Sequence, residues 1–305
     1  MSHQFAPAAT ASGRLVDPRV LVPLSMAALY LIWGSTYLAI RYALESYPPF
    51  MLAGLRFLSA GVALYAFLRL RGLPVPTARQ WRNAAFSSVL LLGLGNGLIC
   101  LAEEHVGSGV SAVSVASMPL FAALFAGMYG EWPSRKETTG LIIGFAGVIV
   151  LNLGSSLAGS HLAAIALLTA AAAWAFGSAW SRHREMPPGP MNTAAQMVCG
   201  SVVLLLFGIL HGEQLPLHPT LRATLAIAYL AVFGSIIAFS AYLYVLHRAR
   251  PAVATSYAYV NPSVAVLLGV LFAGEHVGPL DLAGMAIIVF GVVVITIDQR
   301  QSRRG

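Results

Sequence analysis

The stretch GEWPSRKETTGLIIGFAGVIVL, residues 130–151, returns as GEHVGPLDLAGMAIIVFGVVVI at residues 274–295. The two copies share a Gly-Glu pair and two later glycines, and each shared position differs by 144 between the copies. Both copies end in an uninterrupted apolar run. An ordered set of matches at one offset indicates an internal repeat.

Further matches lie upstream of this stretch. Pro119 corresponds to Pro262, and the pair Gly34-Ser35 corresponds to Gly177-Ser178, in both cases at an offset of 143. A tryptophan comes shortly before each Gly-Ser pair. The nearly constant offset divides the chain into two halves of similar length.

The rest of the sequence is strongly apolar. Of its 305 residues, 58% are hydrophobic and only 10% are charged, and the mean hydropathy is +0.76. A soluble domain carries about 25% charged residues, so this chain has too little charge to cover a globular surface. The composition excludes a soluble enzyme, a disordered protein and a disulfide-stabilised secreted domain. It predicts an integral membrane protein.

Ten segments are apolar and long enough to span a bilayer, which takes about 20 residues. They cover residues 20–44, 50–70, 83–101, 109–129, 139–153, 162–180, 190–210, 221–246, 252–272 and 280–297. The predicted fold is an all-α membrane protein with ten transmembrane helices in two inverted five-helix repeats. The predicted parts are an N-terminal tail (1–19), a first repeat (20–154), a second repeat (160–298) and a C-terminal tail (299–305).

The inversion follows from the number of spans in each half. Five is odd, so the second half begins on the opposite side of the membrane from the first. Glu131 then lies inside and its counterpart Glu275 outside. Inverted repeats are typical of secondary transporters, because two pseudo-symmetric halves can expose a central site to either side.

The basic residues predict the orientation. With a cytoplasmic N-terminus, 15 of the 18 Lys and Arg residues fall on cytoplasmic segments, whereas Arg41 and Arg222 lie outside and Arg56 lies within the second span. This distribution obeys the positive-inside rule and places both termini in the cytoplasm. The net charge of +7 is spread over six separate segments, which argues against a nucleic-acid partner.

Sequence motifs for catalysis or nucleotide binding are missing. The chain has no P-loop, no H-E-x-x-H and no G-x-S-x-G motif, so we expect no enzyme activity, catalytic residue, metal or cofactor. All eleven acidic residues lie at span ends, in loops or in the tail. A proton-coupled exporter of cationic drugs usually needs a buried carboxylate, and the sequence suggests none. Glu103 or Glu104 either reaches an outer vestibule or lies at the interface.

Polar and aromatic residues inside the spans are the candidates for substrate binding. Arg56 could meet a substrate carboxylate, with snorkelling or helix-to-helix hydrogen bonding as the alternative. Aromatic rings suit amphiphilic solutes and ammonium groups, with lipid-facing or packing positions as the alternative. Buried amides can orient polar groups without net charge. The predicted substrate-binding residues are Trp33, Tyr37, Arg56, Asn96, Trp174, Tyr257 and Asn261.

Several motifs stand in the order found in one transporter family. They are Trp33-Gly34-Ser35, Arg56-Phe57, Pro119, Gly130-Glu131, Asn261-Pro262, Gly274-Glu275, Gly284 and Gly291. On these residues the chain resembles the drug/metabolite transporter superfamily, in its bacterial ten-span inner-membrane exporter group with two EamA domains. The resemblance covers residues 20–298, and the aromatic amino-acid and metabolite exporters are the preferred comparison. The counterpart of Arg56 in the second half is missing, since the nearest polar residue is Gln196.

Together these features predict an exporter of small zwitterionic or amphiphilic metabolites, amino acids above all, that works by alternating access. The cavity would lie between the halves, and Pro119, Gly127, Pro262 and Gly269 would allow bending. Two alternatives stay open: a proton-coupled multidrug exporter of aromatic cations, and a membrane-embedded enzyme or sensor. The expected partners are a small-molecule substrate and the lipid bilayer, and both a monomer and a homodimer are compatible with the sequence.

Overall fold

The computed structural model describes residues 18–106, 108–152, 161–273 and 279–302, which form helices and turns with no strand among them. The helices are α1 (Pro18–Ala28, Leu29–Trp33, Gly34–Leu44), α2 (Pro49–Leu70), α3 (Ala78–Ser88, Val89–Asn96, Gly97–Glu103), α4 (Ser108–Val115, Met118–Gly127), α5 (Arg135–Asn152), α6 (His161–Arg182), α7 (Pro190–Leu210), α8 (Leu221–Tyr229, Leu230–Ile237, Ala238–Leu246), α9 (Pro251–Ala254, Tyr257–Ala273) and α10 (Pro279–Ser302).

Six of the described helices are long and apolar enough to cross a membrane, namely α1, α2, α3, α6, α7 and α8. The apolar parts of α4 and α10 are shorter, Met118–Gly127 and Leu282–Ile295. The all-helical fold is therefore confirmed for the described residues, whereas the number of ten spans stays a prediction. The N-terminal tail up to residue 17 and the second Gly-Glu pair, residues 274–275, lie outside the described residues.

The first turn of α3 is polar, and a capping box holds it. The Thr77 hydroxyl accepts a hydrogen bond from the Gln80 backbone at 3.2 Å, and the Gln80 side chain accepts one from the Thr77 backbone at 3.0 Å. Two otherwise unpaired backbone donors are satisfied in this way. The helix consequently begins at Ala78 rather than at the predicted Asn83.

Two helices are broken at a comparable place in each half. In α4 the break lies at residues 116–117, and in α9 it lies at residues 255–256. Pro119 occupies the first turn after the α4 break, where a proline costs no helical hydrogen bond. Pro262, in contrast, lies inside the second piece of α9. The break in α9 therefore does not coincide with Pro262, the proline predicted to let this helix bend.

Helix pairing has a pseudo-twofold pattern. α2 packs on its counterpart α7, α1 packs on α8 as α6 packs on α3, and α9 packs on α1 as α4 packs on α6. Gly54 of α2 faces Leu205 of α7, while Gly61 faces Met197. Because the numbers rise on one helix as they fall on the other, the two counterparts run antiparallel. That is the relation that an inverted repeat requires.

The repeated glycines bring α5 and α10 together. Gly140 lies against the Gly291 carbonyl and Gly147 lies against Ile288, so these counterparts are also antiparallel. A Cβ added at Gly291 would stand 2.6 Å from the backbone nitrogen of Gly144. Only glycine lets the two backbones approach so closely. Gly140 and Gly144 are therefore close-packing residues of the α5–α10 contact.

Candidate functional site

A cavity of about 60 Å³ lies between the two halves, and α1, α2, α3, α4, α6, α8 and α9 all contribute to its wall. It has room for about four to six water molecules, which is the space of a small organic solute. The predicted binding residues all line it, and they are Trp33, Tyr37, Arg56, Asn96, Trp174, Tyr257 and Asn261. Their contact with a substrate stays a prediction.

Three segments of wider, π-helical winding supply part of this wall. They are Leu29–Trp33 in α1, Val89–Asn96 in α3 and Leu230–Ile237 in α8. Trp33 and Asn96 are the last residues of the first two segments, and the third contributes Gly234. Such turns are rare and occur frequently at functional sites. The apolar pattern of the sequence runs through these segments unchanged and does not predict them.

A cluster of four aromatic rings is packed at the cavity. The Trp33 ring centroid is 5.5 Å from that of Trp174, 4.7 Å from Tyr257 and 5.3 Å from Tyr242, with edge-to-face or tilted geometry. The Trp33 indole N–H donates to the Gly234 carbonyl at 3.0 Å. Edge-to-face pairs add to the stability that burial alone provides. The cluster therefore holds its rings in fixed positions.

Close helix packing explains the glycine-rich run at residues 93–97. A Cβ added at Gly95 would lie 2.8 Å from the Trp174 ring, and one added at Gly97 would lie 2.8 Å from Leu204 of α7. One turn after Trp174, the Ser178 hydroxyl of the Gly-Ser motif lies 2.5 Å from the Tyr242 hydroxyl. The missing side chains of the run therefore allow α6 and α7 to approach α3 closely. Tyr242 itself was not among the predicted site residues.

Arg56 is held by its neighbours but is not fully paired. It is 3% exposed, so the snorkelling alternative is wrong. Its Nε donates to the Ser235 hydroxyl of α8 at 3.0 Å, and its guanidinium carbon lies 4.4 Å from the Phe57 ring centroid. Its Nη1 atom is buried and has no hydrogen-bond partner within the described residues. One cationic donor is thus left over at the cavity.

The amides at the cavity differ in their pairing. The buried Oδ1 atom of Asn261 has no partner within the parts of the chain that the structure describes, and its side chain lies next to the Tyr37 hydroxyl. Oδ1 of the half-buried Asn96 accepts from the Cys100 thiol at 3.7 Å. Among the buried atoms without a partner in the described residues, the wall therefore carries one acceptor, Asn261 Oδ1, and two donors, the cationic Arg56 Nη1 and the neutral Trp174 Nε1.

Gln196 has a structural position instead. Its Oε1 accepts from the Ser87 hydroxyl of α3 at 3.3 Å, and its Nε2 donates to Asn192 at 2.9 Å. The α7–α3 pair that it joins is the pseudo-symmetric equivalent of the α2–α8 pair joined by Arg56. Gln196 does not line the cavity. Of these two equivalent positions, only the one in the first half, Arg56, therefore brings a charge to the cavity.

Glu103 corrects the expectation that no carboxylate is buried. It is 7% exposed, and neither of its oxygens has a hydrogen-bond partner among the described residues. The last turn of α3 is covered because Ala102 packs with Ala163 and Leu167 of α6. Partial burial raises the pKa of the neighbouring Glu104 above its ordinary value. The position of Glu103 at the end of a span therefore does not make its side chain exposed to solvent.

Ion pairs close the end of the bundle that is predicted to face the cytoplasm. Nη1 of Arg182 donates to the carbonyls of Leu246 and Ala249 at 2.7 and 2.9 Å, and its Nη2 lies 3.0 Å from Glu131. The neighbouring His183 lies 3.3 Å from the same carboxylate. These contacts connect the ends of α4, α6 and α8.

A second ion pair lies at the same end. Nε of Arg250 stands 2.8 Å from the buried Glu137 carboxylate, and Nη2 donates to the Trp132 carbonyl at 3.1 Å. This pair ties the start of α9 to the start of α5. We call Arg182, Glu131, Arg250 and Glu137 together the inner latch. Within the described ranges, no group of three or more His, Cys, Asp or Glu side chains could hold a metal ion.

Comparison with known proteins agrees with this arrangement. Residues 21–153 and 161–297 each match the EamA-like transporter family. The chain is 46% identical over 282 residues to the uncharacterized inner membrane transporter YedA of Escherichia coli (strain K12), covering 92% of both chains. It is 26% identical over 278 residues to protein PecM of Dickeya dadantii, covering 90% of this chain and 91% of PecM.

One solved crystal structure shares the fold. It is 22% identical in sequence, has a TM-score of 0.74, and the match covers 92% of this chain and 98% of the other. The agreement extends over both halves of the molecule, so the arrangement of the helices around the cavity is that of a known fold.

Proposed function

The chain belongs to the EamA-like transporter family, and on that basis we propose that it exports small zwitterionic metabolites, amino acids above all, from the cytoplasm by alternating access. Family membership makes it a membrane transporter. The bacterial inner membrane is part of the proposal and rests on the name of the YedA relative. The substrate class rests on the cavity, and the direction of transport rests on the resemblance to exporters that the sequence motifs carry.

One observation carries the substrate class. Arg56 Nη1 and Asn261 Oδ1 are both buried, neither has a partner in the part of the chain that the structure describes, and both belong to residues that line the cavity. A cationic donor suits a carboxylate, and a neutral acceptor suits an ammonium group. A buried polar group without a partner is costly, so a zwitterion that bound both atoms would relieve two penalties at once. The Trp33 and Tyr257 rings beside them favour an ammonium group through cation–π contact.

The cavity volume limits which solutes fit in the described state. About 60 Å³ is well below the roughly 300–1,000 Å³ of sites that hold drug-sized ligands. A small neutral amino acid suits the described state, whereas an aromatic amino acid requires the wall to move. The pieces of α4 and α9 on either side of their breaks are the natural moving parts. This supports small neutral amino acids as the first substrates to test.

The test is counterflow of labelled neutral amino acids in liposomes that contain the purified protein. We expect accumulation of at least one of them, and we expect Trp33→Ala to reduce its rate by about tenfold, since Trp33 touches three other cluster rings. Trp33→Phe, which keeps a ring, should lose less. Trp180→Ala is the matched control, because Trp180 lies on α6 against Phe86 and away from the cavity.

Two results would count against the proposal. A reconstituted, monodisperse protein that moves none of the neutral amino acids is not an amino-acid exporter. Equal transport rates in the Trp33→Ala and Trp180→Ala variants would show that the aromatic cluster is not part of the transport site. Equal elution profiles of both variants in size-exclusion chromatography are the check that neither has simply unfolded.

A second candidate function is favoured by Glu103. A proton-coupled exporter of aromatic cations usually has a buried carboxylate, and Glu103 is one. Proteoliposomes with and without a pH gradient distinguish the two functions. Transport of an aromatic cation that strictly requires the gradient would favour the second function, and gradient-independent counterflow of an amino acid would favour the first.

A further inference from the structure

A second cavity lies at the end of the bundle that is predicted to face the cytoplasm. Its volume is about 570 Å³, which is within the range of sites that hold small molecules. Its walls come from the start of α1, the link between α6 and α7, the start of α7 and the end of α8. It shares no lining residue with the cavity between the halves. We call it the inner cavity, and its lining includes Leu21, Arg182, Arg184, Tyr244, His247 and Arg248.

The polar part of the inner cavity is basic. Three arginines and His247 line it, and within the described ranges no Asp or Glu does so. Arg182 already serves the inner latch, since it lies 3.0 Å from Glu131 and donates to two backbone carbonyls. Arg184 and Arg248 have exposed side chains, so an anion from outside the protein can reach both of them.

Each of these two arginines lies over an aromatic ring. The guanidinium carbon of Arg248 is 4.1 Å from the centroid of the Tyr244 ring, and that of Arg184 is 5.3 Å from the centroid of the Trp180 ring. Such contacts limit the motion of a long side chain, so less entropy is lost when it binds a ligand. Guanidinium groups bind phosphate through two parallel hydrogen bonds. A pair of arginines at one cavity therefore suits a phosphate group.

The remaining wall of the inner cavity is largely apolar and continues into the outer surface of the bundle. Leu21 of α1 and Ala241 of α8 line the cavity. One turn along the same helices, Leu24 and Ile237 are exposed, and both helices are long and apolar enough to cross a membrane. Such exposed apolar side chains on spanning helices face lipid. The glycerol and first acyl carbons of a phospholipid would be buried against this surface, which a soluble phosphate would leave uncovered.

We propose that the inner cavity binds the phosphate group of an anionic phospholipid, with Arg184 and Arg248 as its cationic ligands. The lipid comes from the leaflet at that end of the bundle, which the basic residues predict to be the cytoplasmic one. Basic pockets between spanning helices on this side of a membrane are typical sites for such head groups. The site is separate from the cavity between the halves, so the inference holds whichever solute is transported.

The test is lipid binding by the purified full-length chain in detergent, followed by native mass spectrometry. Phosphatidylglycerol is compared with phosphatidylcholine of the same acyl chains, which has no net charge. Inorganic phosphate and glycerol 3-phosphate are the soluble probes. We expect one phosphatidylglycerol per chain to bind about tenfold more tightly than phosphatidylcholine, and we expect both soluble probes to bind more weakly than phosphatidylglycerol.

The double variant Arg184→Gln/Arg248→Gln should lower the affinity for phosphatidylglycerol by about tenfold, to near that for phosphatidylcholine. Arg71→Gln/Arg79→Gln is the matched control. It removes two exposed arginines from the same end of the bundle, and neither of them lines the inner cavity. Because the total charge changes equally, the control should alter the affinity by less than about threefold. Ser240→Phe fills part of the inner cavity, keeps every charge, and should also weaken binding.

Three results would overturn the proposal. Equal losses in the two double variants would show that the lipid is attracted by the overall charge of this end. Equal affinities for the two lipids would show that the arginines do not select an anionic head group. If glycerol 3-phosphate binds as tightly as phosphatidylglycerol, the ligand is a soluble phosphate ester instead. Thermal unfolding in phosphatidylcholine checks that each variant is folded. Should Arg184→Gln/Arg248→Gln be unfolded, an unchanged affinity in Ser240→Phe overturns the proposal.

Discussion

Arg56 shows how one side chain can be both structural and free to bind. Its Nε joins α2 to α8 through Ser235, while Nη1 has no partner within the described residues. A charged hydrogen bond contributes about 1.5–3 kcal/mol, roughly twice a neutral one. Arg56 therefore differs from an arginine with a purely structural role, in which every guanidinium nitrogen would have a hydrogen-bond partner.

Replacing Arg56 by Gln should weaken amino-acid binding by about 10- to 100-fold, which corresponds to the loss of one charge-assisted hydrogen bond. Ser235→Ala is the matched comparison, because it removes the α2–α8 bond and keeps the charge. We expect it to weaken binding only a few-fold. Equilibrium binding on both purified variants checks the prediction, and equal losses in the two would show that Arg56 serves packing alone.

Residues that are polar or aromatic inside an apolar run could be predicted as site residues from the sequence. All seven predicted residues line the cavity, because such side chains stand out against an apolar background. Glu103 does lie at the end of a span, as predicted, but its burial was missed for a related reason. A carboxylate at the end of a span looks interfacial, and its burial depends on α6, which comes some 60 residues later in the chain. Tyr242 was missed because aromatic residues near a span end usually form the interfacial belt.

At the scale of the helix, the length of an apolar segment predicts where a span lies. It says little about whether the backbone there is α-helical, π-helical or broken. The predicted bounds 190–210 and 221–246 agree with α7 and with the three successive pieces of α8. The π-helical segments were not predicted, since they change the backbone and leave the hydropathy unchanged. Bending was predicted in α4 and α9, and both are broken, but at residues 116–117 and 255–256 rather than at the prolines and glycines named for it. These irregular segments are what shape the cavity wall.

The α5–α10 pair gives an element-scale prediction. Gly291→Ala should lower the free energy of unfolding by about 1–3 kcal/mol, the usual cost of overpacking, because the new methyl would stand 2.6 Å from the Gly144 nitrogen. Ala286→Val adds bulk at an exposed position of the same helix and should change stability little. Thermal unfolding in detergent checks both, and an unaffected Gly291→Ala would mean that α5 and α10 separate readily.

In the whole molecule, the packing of the helices is pseudo-symmetric, whereas the polar residues at equivalent positions of the two halves differ. Counterpart helices pack on each other and run antiparallel, yet Arg56 has only the structural Gln196 in the equivalent place. The inner latch ties the bundle at the end that is predicted to face the cytoplasm, and the Arg222–Glu45 ion pair joins α1 and α8 at the opposite end. Exposed ion pairs contribute little individually, but the latch joins the ends of several helices, and Glu137 in it is buried.

The proposed alternating access would require the inner latch to open when the cavity faces the cytoplasm. The test places a cysteine at Thr36, which lines the cavity, in a chain whose Cys100 and Cys199 are replaced by Ala. A small impermeant thiol reagent is added from each side of the membrane. With the latch intact we expect labelling mainly from outside, and Glu131→Gln should raise labelling from the cytoplasmic side several-fold.

Glu185→Gln is the control for this experiment, because Glu185 is exposed at the same end and pairs with Arg79 outside the latch. Its substitution should leave both labelling rates unchanged. If Glu131→Gln also leaves them unchanged, the latch does not govern the cycle. If the intact protein is already labelled mainly from the side of its termini, the latch does not close that end. In either case the gate must be sought at the breaks of α4 and α9.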